Sequence, residues 1–367
     1  MRPAAFALLS IVLLAAPSAR AEFSSFVNKG IDYVSLDDVA ARLGLRTERG
    51  LPVTTEILKD GAKPIAKFTD RSRDTDVEGL RVFMGDPVIE HGGAFFISRA
   101  DYEYHLLPRL RPDLCGALPR QPHIIVIDAG HGGIDHGTEN PRLGTMEKTY
   151  TLDVALRLRA LLEAAGYKVM MIRDTDVTVP KESRAAIAND WSADLYISIH
   201  FNSTYPNSKT AGVEVMSFPW KAQRSTDSWS PGKSNDSESG NAPVNTFAAW
   251  NTLFGSFLHR HLLESLHSGD RGEKFEHLAV LRGLACPGIL VEPAFLSSDA
   301  EGPSLATAAY RDAIAGAIAA GIHDYDEELR KLRPAPTPMP ASAVGRIVPP
   351  AGSAGQVRSQ PTRPSGP

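Results

Sequence analysis

The chain has 367 residues, of which 43% are hydrophobic and 22% are charged. This balance is typical of globular proteins and excludes a chain that is disordered throughout. The formal net charge of −4 argues against nucleic acid as a partner, because nonspecific binding to phosphates needs an excess of positive charge. The two cysteines, Cys115 and Cys286, are too few for an iron–sulfur cluster or an all-cysteine zinc site, and their pairing is left open.

The first 21 residues have the pattern of an export signal. Arg2 supplies a positive start, residues 4–16 are mostly apolar, and Ala19 and Ala21 give the small-residue spacing that precedes cleavage. A buried N-terminal helix is the alternative interpretation. The apolar run is short for a bilayer and no other segment approaches 18 apolar residues, so we predict no transmembrane segment. We therefore expect an exported, periplasmic protein.

Residues 24–110 predict a small α+β module with an internal repeat. Segments 33–39 and 96–102 each join the end of a short strand to a serine that lies three residues before an aspartate, a pattern that caps a helix. The segment resembles the copper-amine-oxidase N-terminal-like domain of exported wall proteins, and this resemblance implies no copper. Both a spacer role and wall or partner binding are compatible with it. Residues 111–121 predict a linker.

Residues 122–330 alternate between strand and helix patterns. This alternation predicts an α/β domain with a mostly parallel sheet and helices on both faces. The predicted strands are 124–127, 167–172, 195–199, 212–218, 278–281 and 288–291, and the predicted helices are 152–165, 183–191, 246–266 and 306–322.

Two further segments have the composition of loops. Residues 219–245 are polar and rich in serine and glycine, and they interrupt the α/β pattern directly after a strand. A surface loop of this length is uncommon and is often functional, although a tolerated insertion is equally compatible. Residues 332–367 are rich in proline, alanine and serine, which predicts a disordered tail.

Titratable side chains lie where predicted buried strands end. His131 lies in a glycine-rich loop after the first strand, His200 follows the third, and Glu292 closes the last. Glu147 begins the helix after the first strand and can face the same edge, where α/β proteins bind their ligands. Two imidazoles and a carboxylate match a zinc site with an open position, and a second carboxylate can act as general base.

Taken singly, these residues have simpler interpretations. Either histidine alone is more often structural, and Glu147 alone is typical of a charge at the favourable end of a helix dipole. The glycine-rich loop does not match a dinucleotide-binding fingerprint, because Asp135 occupies a position that needs glycine. The wide spacing of the four residues forms no compact motif.

Four motifs in the same order resemble a known family. They are residues 127–135, Glu147-Lys148, residues 198–202, and residues 291–292 with 295–297. They resemble the zinc-dependent N-acetylmuramoyl-L-alanine amidases of the amidase-3 type over roughly residues 122–325. Ala294 and Ser298 depart from the glycine and asparagine usual in that family, which affects the shape of the loop rather than the four chemical groups.

The resemblance implies an activity and a site. One Zn²⁺ per chain would be held by His131, Glu147 and His200, with Glu292 as the catalytic residue. The implied substrate is the amide between the lactyl group of N-acetylmuramic acid and L-alanine in peptidoglycan, so that the protein would be a hydrolase of the periplasm or cell wall. Asn202 and His136 are further candidates for substrate contact.

The insertion at 219–245 lies where some members of the family carry a segment that blocks zinc until a partner removes it. Its serine, glycine and asparagine content argues against a strong helix. We expect a mobile lid or a docking loop for an activator protein.

Two other functions remain open from the sequence. A glycosidase could use Glu147 and Glu292 as its carboxylate pair. A wall-binding protein without activity could retain the same fold, although the intact set of four residues argues against degeneration.

Overall fold

The computed structural model describes residues 23–221, 223, 225, 226, 229, 230, 233, 234 and 245–333. The predicted export signal at 1–21, much of the insertion at 219–245 and nearly all of the predicted tail at 332–367 therefore lie outside the described residues. No helix within the described ranges has the length and hydropathy needed to cross a membrane.

The elements are numbered along the chain. The strands are β1 (Ser25–Asn28), β2 (Ile31–Ser35), β3 (Arg46–Arg49), β4 (Thr55–Asp60), β5 (Lys63–Thr69), β6 (Asp74–Val77), β7 (Leu80–Phe83), β8 (Ile89–His91), β9 (Ala94–Ser98), β10 (Ile124–Ala129), β11 (Glu139–Asn140), β12 (Thr145–Met146), β13 (Lys168–Met171), β14 (Leu195–Ile199), β15 (Val213–Ser217), β16 (Trp229–Ser230), β17 (Lys233–Ser234), β18 (Asp270–Phe275) and β19 (Gly288–Glu292). The helices are α1 (Leu36–Leu43), α2 (Arg99–Asp101), α3 (Leu107–Leu110), α4 (Glu147–Ala164), α5 (Lys181–Asp190), α6 (Ala248–Leu266), α7 (Glu301–Leu305) and α8 (Ala308–Leu332).

Eleven of these strands form one mixed sheet. Its order is β13-β10-β14-β19-β15-β18-β7-β6-β5-β4-β3. The pairs β13–β10, β10–β14, β14–β19, β15–β18 and β18–β7 are parallel, and the other five are antiparallel. The separate four-stranded sheet β1-β2-β9-β8 is antiparallel throughout.

The prediction of a mostly parallel sheet is therefore wrong. Two causes account for the difference. Strands β3 to β7 are joined by short turns, which permit only antiparallel pairing, and they continue the sheet from β18. Strand β15 also runs against β19. The α/β class is confirmed, because this large sheet is packed against helices.

Alternate residues of the central strands enter separate clusters on the two faces. Ile125 and Ile127 of β10 pack with residues of α4, α6 and α8, whereas Val126 packs with α5. This is the period of two expected of a strand that is buried on both faces. The central strands are consequently covered on both sides, and their carboxyl ends meet at one edge.

In the large sheet, one strand predicted for residues 122–330 is wrong and strand β18 was not predicted. Residues 278–281 contain a 3₁₀ turn at Ala279–Leu281 instead of a strand. A short apolar run has the same appearance in a buried turn and in a strand. The neighbouring strand β18 was not predicted, because its sequence DRGEKF contains four charged residues.

The predicted helix caps of the N-terminal module are confirmed. The Ser35 hydroxyl accepts a hydrogen bond from the Asp37 amide at the start of α1, and the Ser98 hydroxyl accepts one from the Asp101 amide at the start of α2. The module joins the rest of the fold through β7–β18 and a buried ion pair between Arg109 and Glu273. Contacts between backbones group the described residues from 23 to 332 into one compact unit.

Candidate metal centre and active site

His131, Glu147 and His200 meet at the carboxyl edge of the parallel strands. One potential ligand atom from each lies within 4.8 Å of the others. Glu147 Oε1 is 3.1 Å from His131 Nε2 and 2.9 Å from His200 Nδ1. The structure thus brings together the three residues that the sequence proposed as metal ligands.

Two glycines make room for this cluster. A Cβ on Gly130 would lie 2.4 Å from the His200 ring, so the ring packs directly against backbone. Gly137 has a φ of +69°, and a Cβ there would lie 2.6 Å from the His131 ring and 2.7 Å from Glu147 Oε2. His131 itself has a positive φ of +61°, which directs the chain out of β10 into the loop.

Glu147 is buried at the first residue of α4 and is held by three further atoms of the chain. Its Oε2 accepts hydrogen bonds from the Thr138 amide and hydroxyl, and its Oε1 accepts one from the Phe201 amide. Burial alone would raise the pKa of Glu147, but hydrogen bonds and charge from His131 and His200 hold it well below its usual range. Glu147 is therefore a fixed carboxylate.

The surroundings of the histidines fit a metal centre. His131 Nδ1 is 3.0 Å from Asp135 Oδ2, which is the carboxylate–histidine arrangement that orients metal ligands. His200 Nε2 is buried and has no hydrogen-bond partner among the described residues. Although burial acts to lower the pKa of His131, Glu147 and Asp135 together raise it. Two imidazoles and a carboxylate that converge in this way could hold a metal ion.

Glu292 ends β19, the neighbour of β14 from which His200 emerges. Its Oε2 is buried without a hydrogen-bond partner within the described part of the chain. Burial, followed by the negative charges of Glu147 and Glu214, raises the pKa of Glu292 well above its usual range, while Lys274 opposes the shift. Glu292 is therefore a buried carboxyl group whose charged form is disfavoured.

Glu214 was missed by the sequence analysis. It lies on β15 directly opposite Glu292, and its carboxylate accepts hydrogen bonds from Arg271 Nε at 2.7 Å and from Asn202 Nδ2 at 3.0 Å. Lys274 Nζ lies 3.0 Å away. The only signal in the sequence was a charged residue inside the apolar segment 212–218.

The two weaker candidates have other contacts. Asn202 is fixed by its bond to Glu214, and its backbone pairs with the chain around Phe295. His136 is 42% exposed at its side chain and its Nδ1 lies 2.9 Å from Glu139. Both lie in loops next to the ligand cluster, and their contact with a substrate stays a prediction.

Buried arginines hold the loop that carries His131. Arg184 pairs with Asp128 at 2.7 Å and also donates to the His131 carbonyl. Arg173 donates to the carbonyls of Ala129 and Gly130. The sequence analysis did not identify these partners, because Asp128 and the loop carbonyls lie more than 40 residues from either arginine.

The amidase-3 family pattern, described as N-acetylmuramoyl-L-alanine amidase, matches residues 125–324, more than half of the chain. The chain belongs to this family. The matched segment includes His131, Glu147, His200 and Glu292, so the whole cluster lies in the part that defines an amidase-3 protein.

Curated relatives are N-acetylmuramoyl-L-alanine amidases by name. N-acetylmuramoyl-L-alanine amidase AmiC of Neisseria meningitidis is 34% identical over 224 residues, which cover 56% of this chain and 53% of the relative. AmiA of Escherichia coli is 31% identical over 222 residues, covering 55% and 75%. This chain thus spans about half the length of the Neisseria relative.

Among solved structures, AmiC2 of Nostoc punctiforme is similar with 28% identity and a TM-score of 0.46, covering 56% of this chain and 97% of that one.

Proposed function

We propose that this amidase-3 protein hydrolyses the amide between the lactyl group of N-acetylmuramic acid and L-alanine of the peptidoglycan stem peptide. The observation that carries the proposal is the meeting of His131, Glu147 and His200 within 4.8 Å, one strand away from Glu292. Membership of a family described as N-acetylmuramoyl-L-alanine amidase supports the choice of substrate.

The proposed cofactor is one zinc ion per chain, held by His131, Glu147 and His200. Two imidazoles and a carboxylate are ligands that zinc accepts in hydrolases. The convergence of His131 Nε2 and His200 Nδ1 on Glu147 Oε1 supports this assignment. When bound, zinc would supply a Lewis acid that polarises the substrate carbonyl and lowers the pKa of water.

Glu292 is the proposed general base and acid. It would take a proton from the attacking water and return it to the departing amine of L-alanine. The raised pKa caused by burial and by Glu147 and Glu214 suits this exchange, because the carboxyl group can hold the proton between the two steps. The positive charge of Lys274 opposes the rise in pKa and so favours the ionised form of Glu292, which is the form that accepts a proton.

The glycosidase alternative receives no support from Glu147. A glycosidase with Glu292 as its acid would need a Glu147 carboxylate that is free to attack the sugar or to activate water. Both oxygens of Glu147 accept hydrogen bonds, and His131 and His200 lower its pKa despite its burial.

Two side chains near the cluster are proposed to contact the substrate. His136 is exposed beside the loop of His131 and can reach a bound ligand. Asn202 would act together with Glu214, whose carboxylate it contacts.

The proposal places the protein outside the cytoplasm, in the periplasm or at the cell wall, because peptidoglycan lies there. Residues 1–21 would direct export, 24–110 would form the accessory module and 111–121 the linker to the catalytic domain at 122–330. The insertion at 219–245 would receive an activator protein, and 332–367 would form a tail.

The test is mass spectrometry of the products formed from purified peptidoglycan, with and without a zinc chelator. We expect free stem peptides that begin at L-alanine, together with glycan that lacks peptides, and we expect chelation to abolish both. Shortened glycan strands that persist under chelation would show a glycosidase instead. An absence of products from protein loaded with metal would favour a binding protein.

A pair of variants separates metal binding from general damage. His131→Ala should lose both bound metal and activity. His261→Ala removes a histidine from α6 that contacts Asp324, and it should retain both. Full metal content in His131→Ala would remove this residue from the ligand set.

A further inference from the structure

A basic cleft of about 400 Å³ lies at the boundary between the N-terminal module and the amidase sheet. Five of the nine described residues that line it are basic, and Asp74 is the one acidic residue among the nine. The basic residues are Arg71, Arg73 and Arg81 from the module and Arg271 and Lys274 from β18. We call this set, with Phe83 beneath it, the basic cleft.

Ion pairs hold several of these cations in place. Arg81 lies 2.6 Å from Asp74, and both Arg271 and Lys274 contact Glu214. Arg73 donates to the Met84 carbonyl at 2.7 Å. The cations therefore have defined positions around the cleft, although the chain as a whole carries a net charge of −4.

The register of the sheet places the cleft on the same face as Glu292. Glu292 lies opposite Glu214, and Met216 lies opposite Lys274. Side chains of directly paired residues point to the same side, and so do residues two apart along a strand. Glu292, Glu214 and Lys274 therefore follow one another across three adjacent strands.

The basic cleft extends this row of side chains from β18 onto the N-terminal module. Lys274 Nζ lies 6.0 Å from the centre of the Phe83 ring, and Arg81 stacks on the same ring at 4.9 Å. The basic cleft thus lies on the same face of the sheet as the proposed catalytic carboxyl, and it includes residues outside the segment that the family pattern matches.

The distance between Glu292 and the basic cleft fits a short peptide. Three strand spacings separate β19 from β7, which corresponds to about 14 Å at about 4.8 Å per spacing. An extended chain rises about 3.3 Å per residue, so about four residues would cover this distance. A stem peptide whose first amide lies at Glu292 would therefore reach the cleft with its later residues.

We propose that the basic cleft binds the carboxylate groups of the stem peptide, so that the N-terminal module completes the substrate site. This inference rests on the proposed amidase function. Arginine side chains suit the role, because the planar guanidinium can donate two parallel hydrogen bonds to one carboxylate. The glycan strand on the other side of the scissile amide would not need such cations.

The test measures binding of a product peptide, which requires no turnover. The probe is L-alanyl-γ-D-glutamyl-diaminopimelate with a fluorescent label at the amino end, titrated with metal-loaded full-length protein. Its matched control is the same peptide with every carboxylate converted to an amide. We expect the wild type to bind the acid form more tightly than the amide form and to lose this preference at high salt.

The informative variant is Arg71→Gln combined with Arg81→Gln. Arg71 is 90% exposed and Arg81 is 42% exposed at the side chain, so folding should be retained. We expect about tenfold weaker binding of the acid peptide, consistent with the loss of two partly exposed ion pairs, and unchanged binding of the amide. Arg46→Gln with Arg111→Gln removes the same charge away from the cleft and should leave both affinities unchanged.

Equal affinity of the wild type for acid and amide peptides would overturn the proposal. Equal weakening in the control double variant would do so as well, because it would show a general charge effect. These outcomes are distinct from failure of the proposed function. If the protein binds the acid peptide but releases no stem peptide from peptidoglycan, the basic cleft remains a binding site. The proposed amidase activity is then wrong.

Discussion

Substituting Gly130 by alanine should weaken metal binding through a single methyl group. The added Cβ would lie 2.4, 2.6 and 2.7 Å from three atoms of the His200 ring, whereas ordinary contact begins near 3.4 Å. The ring must therefore retreat by about 1 Å. No positive φ is required at Gly130, so the backbone itself tolerates alanine.

The expected loss of metal affinity follows from how little the distances between a metal and its ligands can vary. Ligand distances in such sites hold to within about 0.2 Å, and His200 cannot retreat without losing its 2.9 Å contact to Glu147. We expect metal affinity to fall about 10- to 100-fold, as for the loss of a residue that orients a ligand. The crowding should also lower the free energy of unfolding by about 1–3 kcal/mol.

The assay is competition for zinc between the protein and a chromogenic chelator, with urea unfolding of the metal-free protein measured in parallel. Gly116→Ala is the matched control, because a Cβ there meets no atom within 4 Å. Wild-type zinc affinity in Gly130→Ala would refute the argument, and so would an equal loss in Gly116→Ala.

Three further predictions follow from other contacts. Glu292→Gln should retain bound metal but lower kcat by about 10²- to 10⁴-fold, as expected for loss of a general base; activity within tenfold of the wild type would contradict the role. Lys274→Met should raise the pKa of Glu292 further, because the positive charge that opposes the shift is lost, so the rise of kcat/KM with pH should move to higher pH. Lys274→Arg should preserve the profile, and identical profiles for all three proteins would exclude this coupling. Arg184→Met should lower the free energy of unfolding in urea by about 3–5 kcal/mol, because it leaves the buried Asp128 carboxylate without its cation. Combining it with Asp128→Asn should recover most of this loss, because the neutral amide still accepts from the Tyr196 and Ser198 hydroxyls. A double variant as unstable as the single one would argue against the ion pair as the cause.

The sequence allowed correct predictions where a titratable residue lies directly beside a strand or helix with a clear apolar pattern. The apolar strand before His131, the strand before His200 and the strand that ends at Glu292 were all recognisable, since burial on both faces leaves a continuous apolar run. Because the carboxyl ends of parallel strands share an edge, the meeting of these residues could be anticipated. The serine caps at Ser35 and Ser98 were equally local and were also predicted correctly.

The sequence could not reveal contacts that depend on which strands pair. The pattern of β15 indicates a strand but not its antiparallel course beside β19, and only that pairing places Glu214 opposite Glu292. Strand β18 was hidden because its charges find partners far along the chain, among them Arg109 for Glu273 and Glu214 for Lys274.

The sequence by itself thus determined the family, the α/β class and the four residues proposed for catalysis, because each depends on motifs and periodicity that are local in the chain. Tertiary structure alone decided that the N-terminal module extends the amidase sheet, and that Arg81 and Lys274 line one cleft. The physical reason is that periodicity records how deeply a strand is buried, whereas the direction, register and neighbour of a strand are set by contacts between segments that lie far apart in the chain.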